Sequence, residues 1–115
     1  MNDRFVILHH TGVDEEHFDL MLESNKALMT WACCENPMGL GEGQSASAQE
    51  LLDHRKEYLQ YEGVISGGRG EVKRVVEGQY SVLGRNNGKL HVRLMALHTG
   101  HAVDLHLGQS EVKRA

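Results

Sequence analysis

The segment His17-Phe18-Asp19-Leu20-Met21-Leu22-Glu23 places an imidazole and a carboxylate two residues apart. On an extended strand, residues i and i+2 project from one face, roughly 6.5–7 Å apart at the backbone. Both side chains can then reach a single cation. Two imidazoles and a carboxylate form a donor set suited to Mn²⁺, Fe²⁺ or Zn²⁺, with coordination positions left open for a substrate. A second imidazole is offered by the preceding segment, which ends in His9-His10. His10, His17 and Asp19 make the candidate set, and strand parity leaves His9 open as a competitor of His10. The plainer reading, that His17 and Asp19 are solvated residues on an outward face, carries about equal weight.

Four other groupings bear on chemistry. His54 and Tyr58 share a face of a helix at i, i+4, and also point the same way on an extended chain. An imidazole with a phenol can hold a phosphate or position a leaving group, although packing and capping are commoner uses of such a pair. Gly67-Gly68-Arg69-Gly70 could cradle an anion with its backbone N–H groups, Arg69 adding a fork of donors; a simple hairpin bend is the commoner outcome. Asp104 and His106 repeat the carboxylate–imidazole spacing, but nothing in the sequence converges on them. His91, His98 and His101 fall on surface or hairpin positions. Cys33 and Cys34 have no basic neighbour to lower a thiol pKa, so buried or half-buried inert thiols are expected.

These residues must be carried by strands. The 115-residue chain is long enough for one independently folded domain. Its net charge of −4, with both signs interspersed, argues against a broad nucleic-acid surface but not against a local contact to one phosphate. Two adjacent cysteines build no disulfide framework, which points to a reducing, cytoplasmic setting. The amino terminus has no apolar targeting run, and no stretch approaches the ~18 apolar residues of a membrane span.

Strands are expected at Arg4–His10, His17–Glu23, Ala27–Cys33, Glu71–Glu77, Gln79–Leu83, Lys89–Leu97 and Ala102–Leu107. Phe18, Leu20 and Leu22 face inward on the second, and Val103, Leu105 and Leu107 on the last. Trp31 is a core or rim anchor. Asn87-Gly88 is the strongest hairpin signal. Ser47-Ala48-Gln49-Glu50 has the form of a capping box, and local composition favours a helix over Ala48–Gln60. Ser110–Ala115 reads as a polar, frayed tail. Seven or eight short strands with little helix predict a small closed β-barrel, because closure removes exposed edges.

Taken together, Arg4-Phe5-Val6, His10, His17-Phe18-Asp19 with Leu22-Glu23, Trp31-Ala32, Asp53-His54 with Tyr58, and Glu62-Gly63 resemble the 3′-phosphoesterase domain of bacterial ligase D, over residues 4 to 107. The resemblance implies a barrel with its site in an outer groove. It also implies a Mn²⁺-dependent phosphoesterase that removes 3′-phosphates or 3′-ribonucleotides from nucleic-acid ends in DNA repair. By that likeness His10, His17 and Asp19 are metal ligands, and His54 and Tyr58 contact the reacting phosphate. It favours an extended strand before Asp53, against the local helix preference. Three positions basic in the family are Met21, Glu35 and Ala46 here, and Arg55 and Arg69 are the candidate substitutes for phosphate binding. The alternative function is a barrel that binds a metal or a nucleic-acid end without turnover, as an interaction module.

Overall fold

A computed structural model describes residues 3–115; Met1 and Asn2 lie outside the described residues. Nine strands account for most of the chain: β1 Arg4–Thr11, β2 His17–Glu23, β3 Leu28–Cys33, β4 Ser45–His54, β5 Gly63–Val64, β6 Glu71–Asn86, β7 Lys89–Ala96, β8 Ala102–Leu107 and β9 Glu111–Arg114. Each bonds its neighbour antiparallel, in the order β1-β2-β3-β4-β9-β8-β7-β6. A further β6–β1 pairing closes these eight into a ring, and β5 adds to the free side of β6. The expected small closed β fold is what the chain adopts.

Period-two alternation fills the ring. Phe5, Ile7, Leu20, Leu22, Trp31, Leu94, Val103, Leu105 and Leu107 point inward and form the main core. Leu20 is fully buried there, so Leu20→Ala should cost about 2–5 kcal/mol in a denaturant melt. An unchanged midpoint would remove Leu20 from the core.

Three readings from local sequence fail for physical reasons, the first in favour of the strand before Asp53 that the family resemblance implies. The helix over Ala48–Gln60 does not form. Residues 45–54 are strand β4, bonded to β3 and β9, and only a short 3-10 turn follows at Lys56–Leu59. Without β4 the ring would have two open edges, so sheet closure overrides local helix propensity. The two strands expected between Glu71 and Leu83 are one continuous 16-residue strand. Gly78 does not break it; the strand passes from β1 to β7 there. A Cβ at Gly78 would stand 1.9 Å from the Met95 carbonyl oxygen, so only glycine allows this approach. The tail is not frayed either, since β9 fills the gap between β4 and β8 and buries Val112.

The outer wall beside β1 and β2 is not solvated. Residues 55–66 cross over it as a strap, and Val6, Leu8, Met21, Leu28, Leu59 and Val72 form a second apolar cluster with Tyr58 and Ile65 packed against it. The run Phe5-Val6-Ile7-Leu8 is apolar throughout because both faces of β1 are covered. Among the described residues, no helix is long and apolar enough to cross a membrane.

Candidate active site

The β1–β2 register decides between the two histidines. His10 pairs with His17, whereas His9 pairs with Phe18. His9 therefore lies on the other face, stacked on the Phe18 ring at 4.5 Å and 3.3 Å from Glu16. His10, His17 and Asp19 converge on the outer wall, with one donor atom from each lying within 4.8 Å of the others.

The hydrogen bonds at this cluster fix which atoms face its centre. His10 Nε2–H donates to the Arg69 carbonyl at 2.7 Å, and His17 Nδ1–H donates to the Glu15 carbonyl at 2.9 Å. A carbonyl can only accept, so each ring, when neutral, presents a bare lone pair from its other nitrogen. His10 Nδ1 lies 3.4 Å from Asp19 Oδ2, and His17 Nε2 lies 3.1 Å from Asp19 Oδ1. Asp19 is 3% exposed, and its Oδ1 is buried with no hydrogen-bond partner among the described residues. A buried carboxylate with each oxygen facing an imidazole lone pair is costly unless a cation sits between them. Backbone carbonyls that hold each ligand's outer N–H are the usual support for such a centre. The residues present fit a divalent metal.

The glycine-rich turn contributes through its backbone. Arg69's carbonyl orients His10, and the turn reaches β1 only because Gly70 sits against Thr11. Gly70 has φ +79°, and a Cβ there would stand 2.1 Å from the Thr11 carbonyl oxygen. Gly70→Ala should lift the turn from β1 and weaken metal affinity about tenfold or more, read by calorimetric titration. Unaltered affinity would mean that the Arg69 carbonyl is dispensable.

His54 and Tyr58 reach the same place by a different device. Strict alternation from the inward-facing Ala46 would turn His54 into the core. A bulge intervenes: Thr30 pairs with Leu51, but Leu28 pairs with His54, so β4 carries one extra residue. The bulge re-aims His54 to the outer wall. His54 Nδ1–H donates to the Leu52 carbonyl at 3.0 Å, and the ring meets Tyr58 edge to face at 6.0 Å.

One groove of about 530 Å³ joins the two groups, running from His10 and Asp19 past Met21 to His54, Arg55, Tyr58 and Arg69. Both arginines line it, but their guanidiniums are held by neighbours. Arg55 Nε lies 3.0 Å from Glu57, and Arg69 Nε donates to the Ser66 carbonyl at 2.8 Å. Sequence reasoning missed the apolar floor: Met21, Ile65 and Val72 also line the groove, and the unbroken apolar run of β1 was the signal for it. It also took the His17–Glu23 face as outward and open, whereas Met21 is 1% exposed.

The remaining groups lie elsewhere. Cys33 is buried, and burial, then the Asp19 charge, push its thiol up to about 12. Cys34 is exposed, contrary to expectation. Asp104 is not isolated, since Arg93 binds both its carboxylate oxygens at 2.8 and 3.0 Å.

The chain is thus a closed β ring with an imidazole–carboxylate set on its outer wall, at the head of a groove. The chain belongs to the DNA ligase D 3′-phosphoesterase domain family, whose model matches residues 8–111. No curated protein matches it. Membership supports a function of 3′-phosphoesterase type.

Proposed function

We propose that the protein is a divalent-metal-dependent phosphoesterase that removes a phosphate or a ribonucleotide from nucleic-acid 3′ ends, with Mn²⁺ as the metal. The observation that carries this reading is the buried Asp19 carboxylate, with Oδ2 turned to His10 and Oδ1 to His17, at the head of the groove that also holds His54 and Tyr58.

His10, His17 and Asp19 would hold the metal, which supplies Lewis acidity toward a phosphoryl oxygen when bound. The protein's own groups do the rest. The Arg69 and Glu15 carbonyls keep the imidazole N–H groups turned outward. The Leu52 carbonyl fixes His54 through Nδ1, leaving Nε2 to carry a proton toward the departing oxygen. Tyr58 lines the same groove, where its hydroxyl would donate to a phosphoryl oxygen, and the apolar wall of Met21, Ile65 and Val72 lowers the local dielectric.

A second reading, a barrel that binds a metal or a nucleic-acid end without turnover, is favoured by one observation. Arg55 and Arg69, the cations nearest the groove, are held by Glu57 and Ser66. One assay separates the two. With Mn²⁺ and a primer–template bearing a 3′-phosphate, release of inorganic phosphate under multiple turnover is expected. Metal binding by calorimetry without phosphate release, at enzyme in excess over DNA, would leave only the binding module.

A further inference from the structure

Across the ring from β1 and β2, the outer wall of β7, β8 and β9 carries a second concentration of charge-bearing side chains. Lys89 and His91 on β7, His106 on β8 and Lys113 on β9 all point outward, with His91, His106 and Lys113 consecutive in one cross-strand row. The His91 and His106 rings stack face to face at 4.1 Å and 21°. A groove of about 500 Å³ opens beside them, lined by Asn86, Asn87, Lys89, His106, Lys113 and Arg114.

The positive charge there is only partly compensated. Asp104 is engaged by Arg93, whose hydrogen bond holds the Asp104 carboxyl below the usual range. Glu111 approaches Lys89 only to 3.9 Å. Arg114 donates to the neutral Leu40 carbonyl at 2.8 Å, and the carboxylate its charge acts on, Asp104, is already bound by Arg93. His91 Nε2 is buried without a hydrogen-bond partner among the described residues. Burial first, and then the charges of His91, Lys89 and Lys113, hold the His106 imidazole below its ordinary pKa, opposed by Asp104. Burial carries no preference for an anion; Lys89 and Lys113, which face the groove, are what would attract one. In a chain whose net charge is −4, contact with a polyanion has to be local, and this is a local basic groove.

We propose that this groove is a second phosphate site, which grips the backbone of a nucleic-acid strand away from the reacting end. Lys113 and Lys89 supply the charge, Arg114 adds to the field, and His106, stacked on His91, lines the site. A phosphodiester backbone fits better than a base, since the groove offers cationic donors and no exposed aromatic ring besides the imidazoles. The contact is independent of sequence and of the metal centre.

The test uses the full chain as Asp19→Asn, so that the first site is disabled. Imidazole C2-proton signals are followed by NMR during titration with inorganic phosphate, and separately with a roughly ten-nucleotide single strand ending in a plain 3′-hydroxyl. The His106 and His91 signals should move with both probes, and the oligonucleotide should act at far lower concentration. Lys113→Glu should weaken oligonucleotide binding about tenfold or more, and Lys113→Gln should reduce the slope of log affinity against log salt by about 0.7. Lys113 is exposed, so neither change should move the thermal midpoint. Signals that stay still with both probes, or move equally in Lys113→Glu, overturn the site. Movement with inorganic phosphate alone overturns its assignment to nucleic acid. Neither failure touches the phosphoesterase reading, which the wild-type turnover assay judges separately.

Discussion

Asp19→Asn should abolish the response to metal while leaving the fold in place. The asparagine is nearly isosteric, so the packing of β2 against β1 and β3 survives. What disappears is one of three donors and the only anionic one. In wild type, metal at 100 times its dissociation constant stabilises the folded state by about 2.7 kcal/mol. For a chain of this size that is a rise in melting temperature on the order of 10 °C. The variant should show almost none of it. Its metal-free form should melt no lower than metal-free wild type, because the substitution removes a buried carboxylate whose Oδ1 has no hydrogen-bond partner among the described residues. Calorimetric melts with and without Mn²⁺ give both numbers. A large loss of stability in the metal-free variant would mean that Asp19 braces the fold and that its convergence with the imidazoles is incidental. An undiminished metal-induced rise would remove Asp19 from the ligand set.

That paired outcome depends on the covering of the outer wall, which the sequence disclosed only in part. The His17–Glu23 alternation reveals which residues share a face, and β2, β3, β7 and β8 are legible on the same ground. The Asn87-Gly88 turn is equally plain, with both residues at positive φ as its hairpin requires. Alternation does not say what lies over the outer face. Met21 is buried in a cluster with Leu59, Tyr58 and Ile65, residues some forty positions later, in a strap without regular periodicity. β1 was ambiguous for the same reason. With Val6 and Leu8 as buried as Phe5 and Ile7, no polar face marked the parity, and His9 could not be told from His10. Register resolves it, and register is a property of two strands together. β4 misled through composition. Alanine, glutamine, glutamate and leucine favour a helix weakly per residue, while closure of an eight-strand ring recruits the segment on both edges. The bulge that turns His54 outward has no glycine to announce it. The family resemblance pointed to His54, and the structure supplies the reason that it can reach the groove.

His54→Ala carries the other large effect. If His54 delivers the proton to the departing oxygen, its removal should lower kcat by about 10²- to 10⁴-fold, with metal affinity unchanged. The separation is possible because His54 is not among the converging donors. It is fixed from behind by the Leu52 carbonyl and flanked by the Tyr58 ring, both on the far wall of the groove. Tyr58→Phe offers the internal comparison. It keeps the ring that packs against the outer apolar cluster and deletes only the hydroxyl, so the loss should be smaller and fall mainly on KM. The leaving group adds a sharper criterion. With a substrate whose departing alcohol is already acidic, such as a nitrophenyl ester, proton delivery contributes little, and His54→Ala should recover most of the lost rate. Equal losses on acidic and ordinary leaving groups would move His54 from proton donor to electrostatic partner of the phosphoryl group. A fall in metal affinity alongside kcat would mean that the bulge turns His54 toward the metal as a fourth ligand, with the acid to be sought elsewhere in the groove.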